Sequence, residues 1–250
     1  MKKIRPEKRF YRKFVKTDGI SFEISAGESN LWINILEKSV INESIKKELI
    51  EYLIVLREEL LKYIEIQPEF FKSLEPIKPS GLMVPEIVRV MIKASEKVGV
   101  GPMAGVAGAV NLFIGKKLES YGICEYIIEN GGDVYLSSSK DRVLKLFTGI
   151  DKIDKNIGLR IPPGKWGVCS SSSKIGHSLS FGNSVVATVI DKDPVVADCA
   201  ATFVANSKNL DEMAEISKKL TEAGIFGVFG VIDGKIVVSG NVEPVKIVEG

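Results

Sequence analysis

The sequence predicts an α+β protein, and three observations predict it. A long stretch with helical apolar spacing sits near the start. The second half is a series of short β-branched runs split by turn residues. Two further helical stretches and a closing hairpin follow them. Strands, helices, strands and then helices in blocks, rather than in strict alternation, are the signature of that class. The order suits two αβ halves, residues 1–122 and 123–250, sharing one sheet system within a single domain of 250 residues.

The first 35 residues alternate enough for two or three strands, among them "RFYRKFVK" and "ISFEISA". A helix follows, with Ser39 or Asn42 as its cap. Ile45, Leu49, Leu53, Leu56, Leu60 and Ile64 recur at three- and four-residue steps, while Lys46, Lys47, Glu51, Arg57 and Glu58 mark a solvated face. "EPIKPSGLMVP", residues 75–85, is a loop by its prolines and glycine. "EIVRVMIKASEKVG" reads as a second helix ending near Gly99. Pro102 suits the first position of a third, where its missing N–H and fixed φ cost nothing.

Beyond it, "CEYIIE", "VYLSSS", "VLKLFTG", "NIGLRI", "WGVCSS" and "SVVATVI" read as strands. "PVVADCAATFVANS" and "LDEMAEISKKLTEAG" read as helices. "IFGVFGVIDGKIVVSG" closes the chain as a hairpin turning at Asp233-Gly234.

Composition excludes several classes. A formal net charge of +2 from 34 basic and 32 acidic residues argues against a nucleic-acid partner. Three widely spaced cysteines form no CxxC pair, so neither a zinc site nor a disulfide framework is indicated, and a reducing, cytoplasmic setting is expected. The basic N-terminus lacks the apolar run of a signal peptide. Val98 to Gly115 is nearly all apolar, with only Asn111 clearly polar. Its five glycines and one proline read as a glycine-rich turn feeding a buried helix rather than a membrane span.

Three constellations carry chemistry. "GVGPMAG", from Gly99 to Gly105, would let a backbone approach a ligand and offer helix-start N–H groups to an anion; close helix packing explains it equally well. It is neither a Walker loop nor a dinucleotide fingerprint. "ENGGDVY", residues 129–135, is either a tight hairpin turn or the mouth of a ligand cleft, with Asp133 at the sheet's end. In "ADCAATFVAN", Asp198 and Thr202 lie four residues apart on one helix face. Together they offer Mg²⁺ the hard oxygens it prefers. The bland alternative makes Asp198 a helix-start acid. Between the second and third lies "GVCSSSSKIGHSLSFGNS", residues 167–184, which holds the only histidine, His177.

Taken in order, "GPMAGVAGAV", "NGGD", "CSSSSKIGHS" and "ADCAAT" resemble the motifs of the ApbE superfamily, whose best-known members are FAD:protein FMN transferases. The match spans about residues 95 to 240. The strings "ENGGD", "GHSLSFG" and "ADCAAT" are closer still to a soluble UPF-type branch of that superfamily. The resemblance implies an ApbE-like fold resembling two T-fold-like halves. It implies a flavin-nucleotide cleft lined by Gly101, Met103, Asn130, Gly131, Gly132, Asp133, Ser170, Ser171 and Ser172. It implies Mg²⁺ held by Asp198, Thr202 and a backbone carbonyl near Ala104, with His177 moving a proton. FAD would be ligand or substrate, with an acceptor protein if FMN is transferred. The expected activity is therefore a transferase or hydrolase acting on a pyrophosphate or phosphoester. The alternatives are a non-catalytic flavin or nucleotide carrier, or a scaffold subunit with a vestigial site. The sequence leaves monomer and homo-oligomer open.

The departures bear on activity. The transferases carry an acidic residue and a lysine in the glycine segment, and a D-P-x-T-G run after the histidine. This chain has "GPMAGVAGAV" and "SLSFGNS" in those places.

Overall fold

The structure is a computed structural model that describes residues 19–36, 41–146, 148, 150–154, 156–172 and 184–247. The sequence-predicted strand over 9–16, Ser39 and His177 lie outside the described residues.

Strands β1 (Ile20–Ala26) and β2 (Ser29–Ile35) form a hairpin ahead of α1 (Glu43–Ile66). Asn42 caps α1, its side-chain oxygen accepting the Ile45 N–H at 2.9 Å. Leu49, Leu53, Leu56, Leu60 and Tyr63 are buried along one stripe, while Ile45 and Ile64 sit at its margin. Burying each leucine contributes about 2 kcal/mol before chain entropy. A single turn, α2 (Glu69–Lys72), and the 75–85 loop lead to α3 (Glu86–Val98), which stops at Gly99 in the left-handed region, φ 91°. A 3-10 turn (Pro102–Gly105) then leads into α4 (Val106–Ser120).

The helix start expected at Pro102 is thus split. Ala104 bonds back to the Gly101 carbonyl at 3.1 Å, and Gly105, not regular helical backbone (φ −108°, ψ 14°), ends the tight turn before α4 begins.

The remaining elements are β3 (Tyr126–Asn130), β4 (Asp133–Ser138), β5 (Arg142–Lys145), α5 (Asp151–Asp154), β6 (Ile157–Ile161), β7 (Gly164–Ser171) and β8 (Ser184–Asp191). After them come α6 (Pro194–Ala205), α7 (Leu210–Glu222), β9 (Gly227–Ile232), β10 (Lys235–Gly240) and β11 (Glu243–Lys246). Eight strands form one antiparallel sheet in the order β1-β2-β3-β4-β7-β8-β9-β10. A three-stranded sheet, β11-β6-β5, is separate. Strand β11 carries no turn signal or β-branched run that would have announced it; it exists by pairing Glu243–Lys246 with β6.

The large sheet has a core on each face. Tyr126, Ile128 and Tyr135 pack with α1, α3, α4 and α6 on one side. Ile127, Leu136, Trp166, Val168 and Phe229 pack with Leu159 and Ile161 of β6 on the other. Side chains alternate along a strand, so covering both faces buries every residue of β3. Among the described residues no single helix is long and apolar enough to cross a membrane, and α3 meets the Pro102–Ser120 segment at a 109° bend.

Candidate functional site

The site forms where three elements end together: the β3–β4 turn, the start of α4 and the first turns of α6. Asn130 pairs with Asp133 across a two-residue turn, with Gly131 at φ 72° and Gly132 at φ 103°. Positive φ at both positions is what a tight hairpin demands and what glycine supplies. Glu129 closes the turn by accepting the Gly132 N–H at 2.7 Å. "NGGD" is therefore a hairpin turn, and one that delivers a buried carboxyl. Asp133 is 8% exposed, and its Oδ1 accepts the N–H of Ser170 on β7 at 2.9 Å.

Asp198 enters from α6. It does not start its own helix, because Asp193 holds that position and accepts the N–H groups of Val195 and Val196. One turn further on, Asp198 instead caps α4, accepting the Gly108 N–H at 2.8 Å and that of Ala107. These are the helix-start donors that an anion would otherwise meet. Close approach makes this geometry possible. A Cβ on Gly108 would stand 2.2 Å from the Pro194 carbonyl oxygen, and one on Gly105 2.9 Å from Cys199 Sγ. Gly101 is equally tight against the Ser73 carbonyl. The glycine-rich segment thus packs at Gly101, Gly105 and Gly108.

Burial dominates the electrostatics. It pushes the Asp198 carboxyl up to about 7, against the opposing Gly108 and Ala107 N–H groups. Asp133 rises well above the usual carboxylate range, through burial first and the charge of Asp198 second, with the Ser170 N–H opposing. Burial and the same two carboxylates also push up the thiol of Cys169, and Cys199 rises similarly beside Asp198. Both thiols stay protonated and are unsuited to act as thiolate nucleophiles.

Asp133 holds Ser170 by a hydrogen bond, and Asp198 lies near enough for its charge to act on Asp133. Thr202 lies one turn beyond Asp198 on α6, half-buried. Met103 and Ala104 are half-buried in the 3-10 turn. Ser170 and Ser171 close β7, as the strand reading expects; the Ser170 hydroxyl pairs with Thr188 Oγ1 at 2.9 Å. Ser171 and Ser172 are buried.

Three participants escaped the sequence reading. Asn111 ties α4 to the turn, its Nδ2 donating to the Asp133 carbonyl at 2.9 Å. Its signal was visible as the one clearly polar residue in an apolar run. Gly108 and Glu129 stood inside the strings "GPMAGVAGAV" and "ENGGD" without a role of their own.

The family model described as "AbpE bacteria" matches residues 12–224. A UPF0280 protein of Methanocaldococcus jannaschii is 37% identical over 224 residues, covering 86% of this chain and 88% of the relative. The chain belongs to the UPF0280 family. Another UPF0280 protein, of Methanothermobacter thermautotrophicus, is 36% identical over 217 residues, 83% of this chain and 84% of the relative. The UPF0280 chain shares its fold with Pseudomonas stutzeri flavinyl transferase ApbE, at a TM-score of 0.61 and 12% identity over 90% of this chain and 95% of that one. The flavin transferase ApbE from Vibrio cholerae gives 0.54 and 13%, covering 90% and 97%. The expected ApbE-like α+β fold is therefore the observed one.

Proposed function

We propose that this protein binds a flavin nucleotide of the FAD type together with Mg²⁺, and acts on a pyrophosphate or phosphoester as a transferase or hydrolase. The observation that carries the reading is the convergence of Asp133 and Asp198, from a strand turn and a helix, beside the glycine-rich segment. Two carboxylates forced together away from water are a common mark of sites built around a cation or a reacting group. A fold held in common with flavin transferases supports the choice of ligand.

The donor set fits Mg²⁺. Asp198 would offer carboxylate lone pairs beside its bonds to Gly108 and Ala107, and Thr202 stands four residues on along the same face. The Ala104 carbonyl would complete the set. When bound, the ion would neutralise the pyrophosphate charge. The chain's own part is positional. The bare Gly131–Gly132 turn admits a ligand close to the backbone, with Asn130 and Asp133 flanking it. Gly101 and Met103 would border the cleft on the α4 side, and Ser171 and Ser172 on the β7 side. His177 would carry the proton to or from an acceptor hydroxyl, supplied by a protein in transfer or by water in hydrolysis.

Two features favour a second reading, a flavin or nucleotide carrier without chemistry. Asp198 already caps α4, and the glycine segment lacks the lysine and acidic residue that the transferases carry. A titration with FAD with and without Mg²⁺, followed by flavin fluorescence and by chromatography for FMN and AMP, separates the readings. Mg²⁺-dependent binding with turnover is expected. Binding without products selects the carrier, and absence of binding removes the flavin reading.

A further inference from the structure

We propose that the solvent face of α1 pairs with the same face of a second copy of this chain, the two helices running antiparallel about a two-fold axis near Arg57. The inference is independent of the flavin reading, because that face lies opposite the stripe that α1 turns toward α3, α4 and the sheet.

Helix α1 carries two stripes. Leu49, Leu53, Leu56, Leu60 and Tyr63 form the buried one. On the other side Lys47, Glu51, Ile54, Glu58, Leu61 and Glu65 follow one another at alternating four- and three-residue steps, with Val55 and Lys62 alongside. That 3.5-residue rhythm is the seam by which two helices pair. All of these side chains are exposed, and at the middle of the seam stand Ile54 at 42%, Val55 at 47% and Leu61 at 55%. One apolar stripe is enough to seat a helix on its core, so a second one on the outside calls for a partner of its own.

The charges select that partner and its direction. In an antiparallel pair Lys47 meets the partner's Glu65, Glu51 meets the partner's Lys62, and Ile54 meets the partner's Leu61. One register serves all three, because the midpoints of these pairs fall between Leu56 and Glu58. Each pairing then occurs twice about the axis. Within one chain Lys47 lies 3.8 Å from Glu51, and Lys62 3.8 Å from Glu58. The antiparallel arrangement extends these contacts into a row of alternating sign across the interface. A parallel arrangement would set Lys47, Glu51, Glu58 and Glu65 each beside its own copy, like charge on like. Exposed ion pairs add little affinity and mainly fix partner and register; burial of Ile54, Val55 and Leu61 supplies the drive.

Sedimentation equilibrium of the full chain across a concentration series tests this. A monomer–dimer equilibrium is expected, with a limiting mass of two chains. Leu61→Asp should raise the dimer dissociation constant by at least about tenfold, since the apolar contact is lost twice per dimer. Lys47→Glu should raise it about fivefold, and Lys47→Glu combined with Glu65→Lys should recover most of that loss. Positions 47 and 65 lie about 27 Å apart along their own helix, too far to touch, so the recovery can come only from an antiparallel second chain. Circular dichroism checks that each variant is folded; if Leu61→Asp is not, Ile54→Asp and the charge-reversal pair decide. A chain that stays monomeric throughout the series overturns the inference. A dimer unmoved by Leu61→Asp and Ile54→Asp overturns it too, and assigns the contact to another surface. Weakening by Lys47→Glu that Glu65→Lys does not relieve rules out the antiparallel register.

Discussion

Asp198 on α6 caps α4 rather than its own helix, its Oδ2 accepting the Gly108 N–H at 2.8 Å across 90 residues of chain. The contact links two elements whose packing defines the site, and it gives the carboxylate a structural duty beside any ligand role. The consequences are measurable.

Asp198→Ala leaves the N–H groups of buried Gly108 and half-buried Ala107 without their acceptor. We expect a loss of about 2–3 kcal/mol in chemical denaturation, the cost of stranded buried donors. Asp198→Asn keeps an acceptor oxygen and should lose less than half of that. Equal losses in the two variants would mean that the cap is not what Asp198 contributes.

Gly108→Ala should destabilise by about 3 kcal/mol, because the new methyl would stand 2.2 Å from the Pro194 carbonyl and neither backbone can yield cheaply. Gly122→Ala is the contrast. Its φ of 78° strains alanine by about 1–2 kcal/mol, but open space surrounds it. Thermal melts of both variants rank them, and a milder Gly108→Ala would contradict the close α4–α6 approach.

Stability of the metal-free protein should fall as pH rises from about 4 to about 7. The sign follows from burial: Asp198 titrates near 7 in the folded chain but in the ordinary carboxylate range when unfolded, so between those values the folded state holds the extra proton. Asp133, raised in the same direction, adds to the slope. Melting temperatures in EDTA across that range, compared with Asp198→Asn, check it; a variant with the wild-type slope would exclude Asp198 as its source.

Thr202→Val and His177→Ala should divide binding from chemistry. Loss of the Thr202 hydroxyl is expected to lower Mg²⁺-dependent FAD affinity by about tenfold and leave Mg²⁺-independent binding alone. His177→Ala should preserve affinity and lower product formation by about 10²-fold or more if it moves the proton. Calorimetry for the first and FMN chromatography for the second read the two effects separately.

Much of this was legible before any fold existed. The stripe from Leu49 to Leu60 specified α1, Asn42 its cap, and Asp233-Gly234 the closing turn, because caps, periodicity and tight turns depend on residues only a few positions apart. The motif order carried the family, and the four-residue step placed Asp198 and Thr202 on one helix face. What the sequence could not decide were relationships between distant segments. Nothing near Asp198 says that its carboxylate caps α4, since the partner is 90 residues away. Nothing near Gly108 says that Pro194 leaves no room for a methyl. Asn111 stood out as a polar residue in an apolar run, but only packing α4 against the β3–β4 turn gave it Asp133 as a partner. Strand β11 likewise exists only because β6 is there to pair with it. Local chemistry selected the elements; burial and long-range contact, which sequence spacing does not encode, assembled the site.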